Sequence, residues 1–230
     1  MARLIGVNEF PDFEDPDVLK GPWKKRFDRG IPCGPGMSPV QFYRIDTPTF
    51  MRLQLIAKER VEGIEKLNLK STHNMKQGER SKMVFHHNLL GVMGEAAGHH
   101  SLFGSIRGLL LQHDRYRGQC DGGQDVLNAN INFKTSEYRP GGLRGYVSPQ
   151  EFRRNMVYVF CWAKTFGPEG KEADRGWACT VGWAWGWEFP KTTETPKGWR
   201  SPVYILGLDK LHPVMPVIRP YKAIDDPETT

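Results

Sequence analysis

Cysteine and long apolar runs are both scarce in this chain. Its four cysteines, Cys33, Cys120, Cys161 and Cys179, lie far apart with no Cys-x-x-Cys pair, which argues against a structural zinc site. Cys161 and Cys179 fall inside apolar runs, where cysteine acts as a small hydrophobe, and we expect all four to be reduced thiols. No run of about eighteen apolar residues exists, so no spanning helix is expected. The opening "MARLIGVNEFPDFEDPDVLK" breaks into proline and acidic residues before a signal-peptide core could form. The expectation is a soluble, cytoplasmic protein. No internal repeat is evident.

What is present is length and positive charge. The 230 residues suit one large domain, or one domain with extensions, with a sizeable core. Lysine and arginine outnumber aspartate and glutamate by 32 to 26, and the sequence pI is about 9.1. That excess favours anionic partners, nucleic acid first among them. Charge alone does not choose between such a partner and a requirement for solubility.

Composition divides the chain into four stretches. Residues 1–50 are rich in proline, glycine and charge and predict an irregular arm. Residues 51–82 predict a helix, with apolar spacing over "FMRLQLIAKERVEGIEKLNL", followed by a basic loop packed on the core. Residues 83–218 form the expected core domain, and 219–230 a frayed tail. Within the core, "KMVFHHNLLGVMGEAAGHHSLFGSI" predicts a helix with Val84, Leu89, Val92, Ala96 and Leu102 on one buried stripe. Glu95 interrupts it among small residues. A buried carboxylate needs a partner, and periodicity does not separate that reading from a solvent-facing one.

Further on, "QDVL" and "INFKTS" flank an Asn-rich turn and predict a hairpin. Its second strand puts Asn132, Lys134 and Ser136 on one face and Ile131 and Phe133 on the other. "SPQEFRRN" predicts a short helix with a serine cap and Pro149 at its first position. "MVYVFCWA" predicts a strand buried on both faces. In "GWACTVGWAWGWEF" the odd positions from Trp177 to Phe189 are bulky and the even ones mostly small. This predicts a strand with one bulky face against helices and one small face open to close approach. Tryptophans in a row can also stack bases, although aromatic strand faces are usually buried.

Glu95 on a helix, Asp125 on the first hairpin strand, and Asn132 with Lys134 on the second form a constellation with chemistry. Carboxylates and carbonyls suit a hard divalent cation such as Mg²⁺, which polarises a phosphoryl group and generates a nucleophilic water. A lysine beside them offsets charge in the transition state.

The ordered segments "GVMGEAAGHH", "DGGQDVLNANINFKTSEYRPGGL", "MVYVFCWA" and "CTVGWAWGWEF" resemble the motifs of the PD-(D/E)XK nuclease superfamily, most closely its small phage-type members. The resemblance spans about Val84 to Leu211. It implies an α/β fold with a central mixed β-sheet flanked by helices, and a Mg²⁺-dependent deoxyribonuclease, with Mn²⁺ as a substitute. It further implies Glu95, Asp125, Asn132 and Lys134 as the catalytic set. Asp125, Glu95, Asn132 and the carbonyl of Phe133 would be the metal ligands. A phage-encoded member would act in the host cytoplasm, and duplex cutting would suit a homodimer.

Asn132 departs from the pattern, because an acidic ligand is expected there. Three explanations stand open: an Asp→Asn replacement that silences the site, a natural asparagine with Asp121, Glu137 or Glu95 completing it, or a defunct nuclease that only binds nucleic acid. A scaffold of the same fold without nucleic acid is a further alternative. For the phosphate backbone the candidates are Arg139, Arg144, Arg115, Arg117, Lys82 and Ser136, with Lys70, Lys76, Arg80 and Arg107 nearby; taken singly, most such charges simply face solvent. His99, one turn after Glu95, could share its face; His86, His87 and His100 are expected to be ordinary surface or core residues.

Overall fold

The computed structural model describes residues 41–66, 77–116, 125–126, 130–138, 144–167, 173–197, 199, 201–207 and 210–212. Most of the expected arm, the loop at 67–76, the hairpin turn at 127–129, Arg117, Arg139 and the tail lie outside the described residues.

Strand β1 (Gln41–Arg44) and helix α1 (Thr47–Lys66) follow one another directly. Residues 41–50 therefore belong to the sheet and its first helix, not to an irregular arm. Asp46 starts α1 by accepting a 2.8 Å hydrogen bond from the Thr49 amide, the N-cap arrangement that satisfies an otherwise orphaned donor. Phe50, Leu53, Ile56, Ala57 and Val61 then recur at helical spacing and are buried. Helix α2 (Gln77–Phe103) begins earlier than expected, taking 77–82 out of the basic loop. Helix α3 (Arg107–Tyr116) follows, its first turn capped by the Ser105 hydroxyl.

The remaining strands are β2 (Ile131–Glu137), β3 (Arg144–Val147), β4 (Val157–Phe166), β5 (Arg175–Trp185) and β6 (Tyr204–Gly207). Four form a sheet in the order β1-β5-β4-β2, while β3 and β6 make a separate antiparallel ribbon. The sheet is mixed: β1/β5 and β5/β4 are antiparallel, and β4/β2 is parallel. The mixed α/β architecture agrees with the sequence. Helices, however, cover only one face among the described residues. On that side α1, α2 and α3 bury Phe50, Leu53, Met93 and Leu109 against Ala163 and Ala178. The opposite face is closed by Val147, Leu206, Leu211 and Phe189, packed on Tyr158, Phe160 and Trp162.

Two other expectations change. Asp125 and Val126 form a bend, so the described part of "QDVL" is not a strand, and the sheet neighbour of β2 is β4. Residues 149–151 form a single turn instead of a helix; Ser148 closes it through its carbonyl and through a 2.8 Å bond from its hydroxyl to Glu151.

The bulky face of β5 is also not continuous. Thr180 pairs with Cys161 and Gly182 with Phe160, leaving Val181 as an extra residue in the ladder. A bulge of this kind reverses the alternation. Trp177 and Cys179 therefore pack with Tyr138 and Trp162 on the face away from the helices, whereas Trp183 packs with Val159 and Leu102 on the helix side. Before the bulge it is the small residues Ala178 and Thr180 that meet α2, Thr180 through a 2.9 Å hydroxyl contact with Ser101.

Helix α2 lies so close to β2 that a Cβ on Gly94 would overlap Thr135, and one on Gly98 would overlap the Phe133 ring. Such overlaps force side chains off their rotamers in a close-packed interior. Gly94→Ala and Gly98→Ala are each expected to cost about 1–3 kcal/mol of stability, read from denaturant midpoints. Gly91→Ala, where a Cβ meets nothing within 4 Å, should lose no stability and serves as the control.

Candidate active site

Glu95 is 7% exposed, and the reason it tolerates burial is Arg60 on α1. The guanidinium grips both carboxylate oxygens, Nη1 to Oε1 at 2.6 Å and Nη2 to Oε2 at 2.8 Å. This is the bidentate geometry that best offsets the desolvation of a carboxylate. Arg60 was not among the residues singled out from the sequence, which has no local signal joining positions 35 residues apart.

One turn along α2, His99 is 1% exposed, with Nε2 3.0 Å from the Asp125 carbonyl. A carbonyl only accepts, so Nε2 carries the proton. Nδ1 is buried and has no hydrogen-bond partner among the described residues. Burial holds the imidazole pKa below its ordinary value, against smaller opposing effects of the Asp125 carbonyl and the Glu95 charge. His99 is thus a neutral donor that pins Asp125 in place.

Asp125 lies along the edge of β2 away from β4, where no strand pairs with it among the described residues. Its amide donates to the Ile131 carbonyl at 3.0 Å, and its carboxylate Oδ2 accepts from the Phe133 amide at 2.6 Å. The side chain takes the place of the next rung of a strand ladder, while the backbone carbonyl turns to His99. In extended backbone a residue's N–H and C=O point to the same edge, so the Phe133 carbonyl faces this edge too. Burial pushes the Cys161 thiol up to about 12; the Thr180 hydroxyl opposes this, and Glu95 and Asp125 add to it. Both carboxylates therefore bear on one buried, unreactive sulfur.

The opposite face of β2 carries the lysine. Lys134 Nζ is 3.0 Å from Glu151 Oε2, and Ser136 donates to the Tyr146 hydroxyl at 3.1 Å. Burial raises the Glu151 pKa, but Lys134 and the Ser148 hydroxyl more than reverse this and leave it below the usual carboxylate range. The Ser-x-x-Glu spacing of Ser148 and Glu151 signals their mutual contact; nothing local signals the pairing with Lys134. Asn132 is buried on the same strand face.

The structure thus brings Asp125 to the peptide joining Asn132 and Phe133, and sets Glu95 and His99 on the helix side of the strand. Lys134 belongs to a second cluster with Glu151, across β2. Glu137 lies 3.7 Å from His86, and Asp121 falls outside the described residues. Of the expected phosphate contacts, Ser136 is placed as above; Lys82 and Arg115 sit on α2 and α3, and Arg144 begins β3. Among the described residues no group of three or more His, Cys, Asp or Glu could hold a metal ion, and no helix is long and apolar enough to cross a membrane. Compared with protein-family models, curated proteins and solved structures, the chain matches none.

Two outcomes follow from these contacts. Arg60→Ala leaves Glu95 buried with its main counter-charge removed and should lower stability by about 2–3 kcal/mol, less than for a fully buried pair because Arg60 is partly exposed. Adding Glu95→Gln should recover part of that loss, as chemical denaturation will show. For His99, the folded pKa lies below the unfolded value of about 6.5, so the unfolded chain binds more protons in acid. Stability in metal-free buffer should fall as pH drops below about 6.5, and His99→Gln, which keeps a donor, should flatten that slope.

Proposed function

We propose that this chain is a nuclease-fold protein that hydrolyses DNA phosphodiesters with a divalent cation, Mg²⁺ or Mn²⁺, and that Asn132 holds it in a silenced form. The observation that carries the reading is the Asp125 carboxylate against the Asn132–Phe133 peptide at the edge of β2 away from β4. An aspartate, an outward backbone carbonyl and an amide oxygen within this short span are a hard-oxygen donor set of the kind that Mg²⁺ accepts. When bound, the cation would supply charge for the phosphoryl oxygens and acidify a water.

On this reading the silencing follows from charge. Glu95 is paired with Arg60, and Glu151 with Lys134, so neither carboxylate offers its full charge to a cation. Aspartate at 132 would add a full negative charge two strand positions from Lys134, and asparagine there offers a divalent ion only a neutral oxygen. Glu95, with both oxygens on Arg60, acts as a fixed charge bearing on His99 and Cys161. Lys134 is held by Glu151 two residues beyond Asn132, on the strand face where it could meet a phosphate oxygen.

The second reading is a module that binds DNA without cutting it. Its support is the internal pairing of Glu95 with Arg60 and of Lys134 with Glu151, which leaves the site satisfied as it stands.

The test is plasmid and linear DNA cleavage in Mg²⁺ or Mn²⁺. Asn132→Asp is expected to cut at least about 100-fold faster than the unaltered chain. Adding Lys134→Ala should abolish that gain. Equal cutting by the unaltered chain would mean that a different carboxylate completes the site. DNA binding without cleavage by any form would favour the second reading, and a chain that does not bind DNA would leave only a scaffold.

A further inference from the structure

The edge of the molecule beyond β5 carries an aromatic surface that the chemistry above does not use. Trp187 sits on a single 3-10 turn, Gly186–Glu188, and is 50% exposed. A lone exposed tryptophan needs no explanation. This one lies flat on Trp185, with ring centroids 4.2 Å apart and planes 12° from parallel, and Trp185 in turn meets the edge of Trp183.

The turn beneath it is stiff. Glu188 accepts from the Trp185 amide at 2.6 Å and contacts His212 through its other oxygen. The Gly186 amide bonds the Met156 carbonyl at 2.8 Å. Phe189 anchors the far end in the core. The ring is therefore held ready, at little cost in side-chain freedom on binding.

Positive charge lies alongside. Gly186 presses on the backbone of Arg153 and Arg154 so closely that a Cβ there would overlap the Arg153 carbonyl, and both arginines are exposed; Arg153 Nη1 donates to the Gln150 and Phe152 carbonyls at 3.0 and 2.8 Å, so a phosphate would meet its other guanidinium N–H groups. The neighbouring acids are engaged: Glu188 with Trp185 and His212, Glu151 with Lys134 and Ser148. The Tyr158 hydroxyl ties this segment down, accepting from the Arg153 amide at 2.6 Å and donating to the Glu151 carbonyl. Arg153 follows Glu151 by two residues, a Cα separation of at most about 7 Å. The surface is thus contiguous with the Lys134–Glu151 cluster.

We propose that Trp187, backed by Trp185 and flanked by Arg153 and Arg154, is a platform for an unpaired nucleotide of a DNA substrate. The base stacks on the indole, and its phosphates meet the guanidinium groups. A flat aromatic face with adjacent arginines is the chemistry that binds single strands without reading their sequence. The inference rests on the nucleic-acid reading above and narrows it to DNA with a single-stranded end or gap.

Titration of the full chain with oligothymidylate and with a blunt duplex, followed by tryptophan fluorescence and by anisotropy of labelled DNA, tests it. The expected result is quenching on oligothymidylate binding. Trp187→Ala should weaken that binding about tenfold while leaving duplex affinity, and hence the fold, within about twofold. Trp187→Phe should retain most of the affinity. Replacing Arg153 and Arg154 together by alanine should flatten the logarithmic salt dependence by about 1.4. Unchanged oligothymidylate affinity in Trp187→Ala would overturn the platform and leave the nuclease reading intact. Failure of the unaltered chain to bind either DNA would overturn both.

Discussion

Helix α2 can approach β2 as closely as it does only because Gly94 and Gly98 present no side chain to Thr135 and Phe133. The rest of the site depends on that approach. It sets Glu95 and His99, which flank the glycine stripe, over the strand that carries Asn132 and Lys134. It also buries them, and burial is what makes their partners matter: Glu95 requires the fork of Arg60, and His99 stays neutral and spends its one proton on the Asp125 carbonyl. A helix one methyl group further out would leave both residues wetter and Asp125 less well fixed.

β2 then works as a divider. Its alternation sends Phe133 and Thr135 to the helices and Asn132, Lys134 and Ser136 to the ribbon side, so the charged residues fall into two clusters on either side of the strand. Each cluster holds an ion pair, Arg60 with Glu95 and Lys134 with Glu151. The residue at 132 lies at the junction, where one oxygen-for-nitrogen exchange alters the charge felt by both.

Much of this was legible in the sequence. The stripe from Leu89 to Leu102 was readable because helix periodicity reports burial directly, and "MVYVFCWA" because a strand covered on both sides is apolar throughout. Pairings across long separations were not readable: Arg60 with Glu95 and Lys134 with Glu151 depend on how α1 packs and how a turn closes. The tryptophan-rich strand is instructive. Its period of two marked a strand correctly, but the pattern carries no sign of the extra residue at Val181, so the tryptophans before and after it were expected on one face and lie on two. Asp125 was expected as a strand residue because an apolar run follows it. Its side chain instead supplies the hydrogen bond that a strand backbone would have made.

That substitution has a consequence for how the molecule behaves in a crowd. An edge strand exposes amides and carbonyls that invite a second chain to pair, and proteins blunt such edges with short strands, bends and charge. The opposite edge, β1, is only four residues long and ends in Arg44. On β2 the Phe133 amide is already taken, by a group that brings a negative charge and a bend in the chain. The carboxylate proposed above as a cation ligand thus also occupies an amide through which another strand would pair, and its removal is expected to favour association through this edge.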